Sequence, residues 1–136
     1  MTTTVEHIMG LPISIDLRDD VPSAAEQAFD WLREADERFS PFKVDSEVSR
    51  FDGSPGEDLH EILAICDEYE HLSGGAFTAF LAGRALDPSA VVKGWAVQRA
   101  AELLRSAGVR RFCVNAGGDV VDEDRRVHRS EGLALL

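Results

Sequence analysis

Residues 87–121 read "DPSAVVKGWAVQRAAELLRSAGVRRFCVNAGGDVV", and this stretch decides the fold class. Val97, Ala100, Ala101, Leu104 and Ala107 recur at the three- and four-residue spacing of one helix face, which predicts a helix from about Lys93 to Ala107. Gly108 suits the position just past a helix end, where a left-handed backbone is wanted, and Val109 is placed for the apolar contact that often follows. "RRFCV" then reads as a short strand. Val114 to Val121 reads as a strand running into a Gly117-Gly118 turn and out again. Ahead of the helix, Asp87-Pro88 marks a tight turn.

Working outward, "LPISIDLR" (residues 11–18) alternates. Ile13, Ile15 and Leu17 face one side and Ser14, Asp16 and Arg18 the other, the period of a half-buried strand. Ser23 and Glu26 have the spacing of a capping box, followed by Ala25, Ala28, Phe29, Leu32, Ala35 and Phe39 at helical spacing. A helix is predicted from about Ser23 to Arg38, stopped by Pro41. Residues 40–57 form a turn-rich surface loop with a short helical turn at Ser46–Arg50. Leu59, Ile62, Leu63, Cys66, Tyr69 and Leu72 mark a second helix ending at Gly74-Gly75, with His71 in its last turn, where a cation suits the dipole. Residues 76–94 mix apolar and small residues and predict short extended pieces. The order is strand, helix, loop, helix, extended pieces, helix, strand, turn, strand, which is an α+β arrangement.

The totals bound the function. A chain of 136 residues is long enough for one domain with a core and too short for two. Its net charge of −11 argues against nucleic acid and against an anionic membrane surface, since both are bound chiefly through Lys and Arg. A small phosphorylated ligand held by backbone N–H groups stays open. No run approaches the roughly 18 apolar residues of a spanning helix. "MTTTVEHIMG" has neither the basic region nor the apolar core of a signal peptide. Cys66 and Cys113 lie in apolar periodic segments far from a C-x-x-C spacing, so buried free thiols and a cytoplasmic location are expected.

Chemistry has two candidate stretches. In "DPSAVVKGWA", Lys93 and Gly94 are expected at a helix N-terminus, where free N–H groups attract anions. Two readings stay open: a phosphate site, or a solvated lysine on a first turn. In "NAGGD", Gly117 and Gly118 permit positive φ and close approach of another molecule, and Asp119 offers a carboxylate. A plain turn between strands is the alternative. "SGGAF" (residues 73–77) raises the same choice, with helix capping as the alternative.

Taken in order, "MGLPISIDL", "FSPFKVDSEVSRF", "LSGGAF", "LDPSAVVKGWAVQRAAELLRSAG" and "VNAGGDV" resemble the ApbE family of FAD:protein FMN transferases, from about Met9 to Val121. The resemblance implies an α+β core related to the T-fold. It also implies binding of FAD, use of Mg2+, passage of FMN to a threonine of an acceptor flavoprotein, and release of AMP; some relatives hydrolyse FAD instead. The matching positions imply flavin-nucleotide contacts at Met9, Phe42, Ala76, Phe77, Thr78, Ser89, Lys93, Trp95, Gly117, Gly118 and Asp119, and a metal-binding backbone carbonyl at Val92. Thr78 stands where many relatives carry Asp, which keeps a hydrogen-bonding group and removes one negative charge. Relatives continue well beyond the Gly-Gly turn with a His-containing block and a late segment whose Asp and Thr hold the metal. "VDEDRRVHRSEGLALL" matches neither. The expectation is therefore a C-terminally truncated ApbE core over residues 1–121 and a solvated, charged tail over 122–136. A sheet so shortened would leave open edges and uncovered apolar faces, which predicts a homo-oligomer. Three functions remain: the transferase, a non-catalytic FAD- or nucleotide-binding remnant, and a structural remnant without ligand.

Overall fold

A computed structural model describes residues 2–80, 86–117, 119–122 and 127–128; of Pro22, Asp119, Val127 and His128 only the backbone is described. The chain runs β1 (Thr2–Ile8), β2 (Leu11–Leu17), α1 (Pro22–Phe39), α2 (Glu57–Leu72), α3 (Ser89–Ser106), β3 (Phe112–Ala116), β4 (Asp119–Asp122) and β5 (Val127–His128). The strands form one antiparallel sheet in the order β1-β2-β3-β4-β5. β2 and β3 are neighbours although all three helices lie between them in sequence. The class is α+β, as the pattern predicts.

The register explains the core. Ile13 pairs with Ala116, Ile15 with Val114 and Leu17 with Phe112. Opposed residues share a face, so these six side chains, all buried, form one apolar surface. α1 and α3 pack on each other beneath it, α1 meeting β1 and α3 meeting β3 and β4, while α2 packs on α3. The other face carries Ser14, Asp16, Cys113 and Asn115, none of them buried. Over β2 and β3, the expectation of an uncovered apolar sheet face is thus corrected. Of the large apolar side chains on that face of β1–β3, Val5 stands out, at 56% exposed.

Several local expectations change. α1 starts at Pro22 with Val21 in the capping position and no side-chain cap, so Ser23 does not close a capping box. Proline at the first turn lacks the N–H that a cap would satisfy and has its φ set for the helix. α3 starts at Ser89, four residues before Lys93. Asp87 Oδ1 accepts the Ser89 N–H at 3.1 Å and also the Ser89 hydroxyl, while the Pro88 carbonyl accepts the N–H groups of Val91 and Val92 at 2.9 Å. Val91, Val92, Trp95 and Ala96 are all buried, so this first part of α3 is apolar on most sides and shows no single stripe. β1 carries no strand signal in the sequence pattern. It is an edge strand with only Ile8 buried, so it lacks apolar alternation. β5, within the expected solvated tail, pairs with β4 through Val120↔His128 and Val121↔Val127.

Other features follow the sequence. α2 ends at Leu72, and Gly74 and Gly75 take positive φ beyond it. Gly108 has φ 92°. Its N–H bonds to Arg105 O, and the Val109 N–H bonds to Leu104 O, each at 3.0 Å, while the Leu104 and Val109 side chains are buried together. β3 and β4 are joined by the expected turn, Ala116 pairing with Asp119 and Gly117 at φ 59°. The helical turn at residues 46–50 is present, closed by Arg50 N–H to Ser46 O at 3.0 Å, but Ser46 and Val48 are buried, so the loop is tucked in. Of the expected extended pieces, an antiparallel bridge joins Phe80 and Leu86.

Candidate functional site

A cavity of about 510 Å³ opens where the β1–β2 turn meets the end of α1, the loop after it and the start of α3. Met9, Gly10 and Leu11 form one wall, Ala35, Asp36 and Phe39 with Ser40–Lys43 a second, and Ser89, Ala90, Val92 and Lys93 a third. Each wall has a local cause. The β1–β2 hairpin turns through Met9 (φ 57°) and Gly10 (φ 75°), the twist that suits a two-residue hairpin loop. Met9 is not glycine, so its left-handed backbone is strained by roughly 1–2 kcal/mol, and its side chain is packed against the core. Pro41 ends α1 and turns the chain so that Phe42 stands 90% exposed at the cavity. α3 contributes its first two turns.

Five of the residues singled out by resemblance are therefore brought together from three sequence blocks: Met9, Phe42, Ser89, Val92 and Lys93. Gly117 sits just outside. A Cβ added there would lie 3.5 Å from Leu11 Cδ2, and Leu11 lines the cavity, so the β3–β4 turn backs onto the same wall. Gly118 and the Asp119 side chain lie outside the described residues. Ala76, Phe77 and Thr78 follow α2 and do not line the cavity. Phe77 packs edge-on to Tyr69 with ring centres 6.0 Å apart, and the Thr78 hydroxyl accepts the Phe80 N–H at 3.2 Å.

Trp95 also lies off the cavity surface. It is 7% exposed, edge-on to Phe39 at 5.5 Å, tilted against Trp31 at 5.5 Å and covered by Arg99 at 4.8 Å. Its indole N–H finds no hydrogen-bond partner among the described residues, whereas the Trp31 indole donates to Ala96 O at 3.0 Å.

The electrostatics correct one expectation. Lys93 is in the second turn of α3, not at its start, so its N–H is not one of the terminal donors. The terminus itself already holds an anion of the protein's own, the Asp87 carboxylate. Positive charge at the cavity therefore comes from side chains. Lys93 supplies one ammonium group. Lys43, which the sequence did not single out, supplies a second. Lys43 Nζ is paired with Glu37 and lies 3.6 Å from Asp36. The hydrogen bond to Glu37 raises its pKa above the ordinary value, against the opposing effect of desolvation, and the charge of Asp36 adds to the rise.

Behind the cavity, charges brace the loop. Arg38 donates to Glu47 at 2.6 Å and Asp58 at 2.9 Å, and Arg99 reaches Asp58 at 3.4 Å and Glu61 at 2.9 Å. This network ties α1, the 40–56 loop, α2 and α3 together.

An antiparallel sheet with helices packed on one face and an apolar, lysine-bearing cavity at its hairpin end defines an α+β domain with a candidate small-molecule site. The chain belongs to the ApbE family, whose sequence model matches residues 9–83 and 79–126. Its fold is similar to the flavin transferase ApbE from Vibrio cholerae (TM-score 0.78, 16% identity, 95% of this chain and 67% of that one). It is also similar to the flavinyl transferase ApbE of Pseudomonas stutzeri (TM-score 0.75, 17% identity, 89% and 60%) and to the ApbE protein of Thermotoga maritima (TM-score 0.73, 14% identity, 90% and 58%). The chain thus spans about 58–67% of the length of these structures. No curated protein sequence matches it. Among the described residues no helix is long and apolar enough to cross a membrane.

Proposed function

We propose that this chain binds FAD and forms the flavin-holding part of a Mg2+-dependent FMN transferase, which passes FMN from FAD to a threonine of an acceptor protein and releases AMP. The observation that carries the reading is the convergence of Met9, Phe42, Ser89, Val92 and Lys93 on one cavity. Its volume of about 510 Å³ lies within the roughly 300–1,000 Å³ of small-molecule sites. Met9, Phe39 and Phe42 offer an apolar and aromatic wall to a flavin ring, and Lys93 offers charge to a phosphate. A surface of net charge −11 repels anions at long range, so a diphosphate needs such local cations.

A bound Mg2+ would neutralise charge on the transferred phosphoryl group. The described residues do not fit that ion by themselves. No group of three or more His, Cys, Asp or Glu among them is placed to hold a metal. The Val92 carbonyl lies inside α3, where the helix ladder already draws on it. Binding and orienting the nucleotide is the step that this chain's described residues support, and the same observation favours a second reading, an FAD-binding unit without transferase activity.

Flavin fluorescence titration with FAD tests binding. Incubation with FAD, Mg2+ and a threonine-bearing acceptor, followed by mass spectrometry, tests transfer: an FMN-sized gain with AMP release supports the transferase, and FAD binding without either supports the second reading. A flat titration removes both. We also propose a cytoplasmic location, to be checked by fractionation, and a homo-oligomer. β1 is an open sheet edge, and a purely monomeric sedimentation profile would overturn self-association.

A further inference from the structure

We propose that β1 is a self-association surface: it pairs antiparallel with β1 of a second copy, Val5 opposite Val5 on the two-fold axis, and joins the two sheets into one. This rests on the homo-oligomer reading above and is independent of FAD. β1 is an outermost strand, with β2 on one side and no described strand on the other. The β1–β2 loop fixes which backbone groups face outward. It consists of Met9 and Gly10, with Ile8 opposite Leu11. In a hairpin with a two-residue loop the flanking residues exchange N–H···O bonds, and bonded and non-bonded pairs then alternate. Ile8, Glu6, Thr4 and Thr2 therefore bond to β2, and the N–H and C=O groups of His7, Val5 and Thr3 point away from it. Pro12 agrees with this assignment: it stands opposite His7, a non-bonded position, where its missing N–H costs β1 no bond.

The edge carries none of the usual guards. Exposed edge strands are commonly blunted by Lys, Pro or a bulge. β1 contains no Lys or Pro and pairs with β2 residue for residue, without a bulge. Its one carboxylate, Glu6, shares the helix-covered face with Ile13 and is held by Arg33 at 2.7 Å. A second copy is the occupant because the strand complements itself. Outward groups must meet outward groups, so Thr3, Val5 and His7 of one copy have to face residues of the same set in the other. With Val5 opposite Val5, the two strands overlap along their whole length. Thr3 then faces His7, Thr4 faces Glu6 and Thr2 faces Ile8, so no like charges oppose each other and each exposed Val5 side chain covers the other. A slip of one bonded pair in one direction sets Glu6 against Glu6. The same slip in the other direction leaves His7 and Ile8 beyond the end of the second copy's β1. The favoured register exchanges about six N–H···O bonds, two for each bonded pair. Being the same surface on both copies, the contact closes at a dimer.

Sedimentation velocity over a concentration series should show the unaltered protein in a monomer–dimer equilibrium without larger species. Val5→Pro removes an outward N–H and leaves the bonds to β2 in place, so it should raise the dimer dissociation constant about tenfold or more, with far-UV circular dichroism and Tm unchanged. Thr3→Lys places a charge on the same edge without altering the backbone and should weaken the dimer likewise, which keeps the test open if the proline variant unfolds. Dimers that persist in both variants, or an open series of larger species, overturn the proposal while leaving the homo-oligomer reading intact. A protein that is monomeric throughout overturns both. Thr4→Cys, Val5→Cys and Glu6→Cys, each combined with Cys113→Ser and with the buried Cys66 retained, read the register. Bonded pairs stand about 5.5 Å apart at Cα, within reach of a disulfide, so mild oxidation with diamide should cross-link Val5→Cys about fivefold or more faster than the other two. Equal or faster cross-linking of Thr4→Cys or Glu6→Cys overturns the proposed register and the proposal with it.

Discussion

Replacing Arg38 by methionine should loosen the wall of the cavity from behind. Arg38 lies in the last turn of α1 with its side chain 29% exposed, so its ion pairs are partly shielded from water. It holds Glu47, on the loop that carries Phe42 and Lys43, and Asp58, on the first turn of α2, and its guanidinium lies 4.6 Å from the centre of the Phe39 ring. An exposed pair contributes about 0.2–1 kcal/mol and a hydrogen bond to a charged group about 1.5–3 kcal/mol. Two half-shielded contacts together should contribute about 2 kcal/mol, because methionine keeps much of the aliphatic packing on Phe39. For 136 residues that corresponds to a fall in Tm of about 7 °C. Urea denaturation of the Arg38→Met and Asp58→Asn variants and their double mutant gives the coupling directly, expected at about 1 kcal/mol and smaller at high salt. Hydrogen exchange should quicken most in α2. Coupling below about 0.3 kcal/mol, or exchange rising evenly over the whole molecule, would refute the idea that this network fastens α2 and the loop to the helical layer.

Four further predictions rest on single sites. Lys93→Ala should weaken FAD binding by about 1–3 kcal/mol, the scale of a lost hydrogen bond to a charged group, and an unchanged titration curve would remove Lys93 from the site. Burial, reinforced by the charges of Asp67 and Glu70, pushes the Cys66 thiol up to about 11, so a thiol reagent at pH 8 should label the half-buried Cys113 before Cys66; equal rates in the folded protein would contradict this. Asp19 accepts the N–H groups of Arg110 and Arg111 at 2.6 and 2.9 Å and pairs with the Arg111 side chain, which holds its pKa below the usual 3.8. Its contribution is therefore complete above that value and is lost as pH falls through the folded pKa, so the stability gap between the protein and Asp19→Asn should close in acid. Gly108→Ala meets no neighbour, but forces a side chain into φ 92°, and should cost about 1–2 kcal/mol in urea denaturation.

The elements legible in the sequence are those with one apolar side. β2 alternates cleanly, and α1 carries a broad apolar face, so both were anticipated to within a residue or two. The hairpin at Gly117 and the end of α3 were legible because both need positive φ. β1 was hidden for the opposite reason: as an exposed edge it has little apolar pattern to show. The start of α3 was hidden because Val91, Val92, Trp95 and Ala96 are buried on most sides, which erases the periodicity that marks a helix face. Phe42 came from the resemblance alone, being an exposed aromatic residue on an irregular loop. Lys43 and Asp36 had no linear signal at all; they matter through where Pro41 turns the chain.

The misplaced start of α3 changes the electrostatic account of the cavity more than its shape. Had α3 begun at Lys93, its terminal N–H groups would have faced the ligand and formed a fixed anion cradle of the kind found at helix starts. With the start at Ser89, the Ser89 N–H is satisfied by Asp87 and the Val91 N–H by Pro88, and the carboxylate of Asp87 occupies the favourable end of the dipole. A second anion at the same place would meet that charge. On the proposed FAD-binding reading, recognition of a phosphate then falls to the ammonium groups of Lys93 and Lys43, the latter paired with Glu37 and 3.6 Å from Asp36. Backbone cradles are rigid and respond little to exchange of neighbouring side chains, whereas paired lysines respond to each carboxylate that competes for them. On that reading, affinity would respond to residues such as Glu37 that need not touch the ligand.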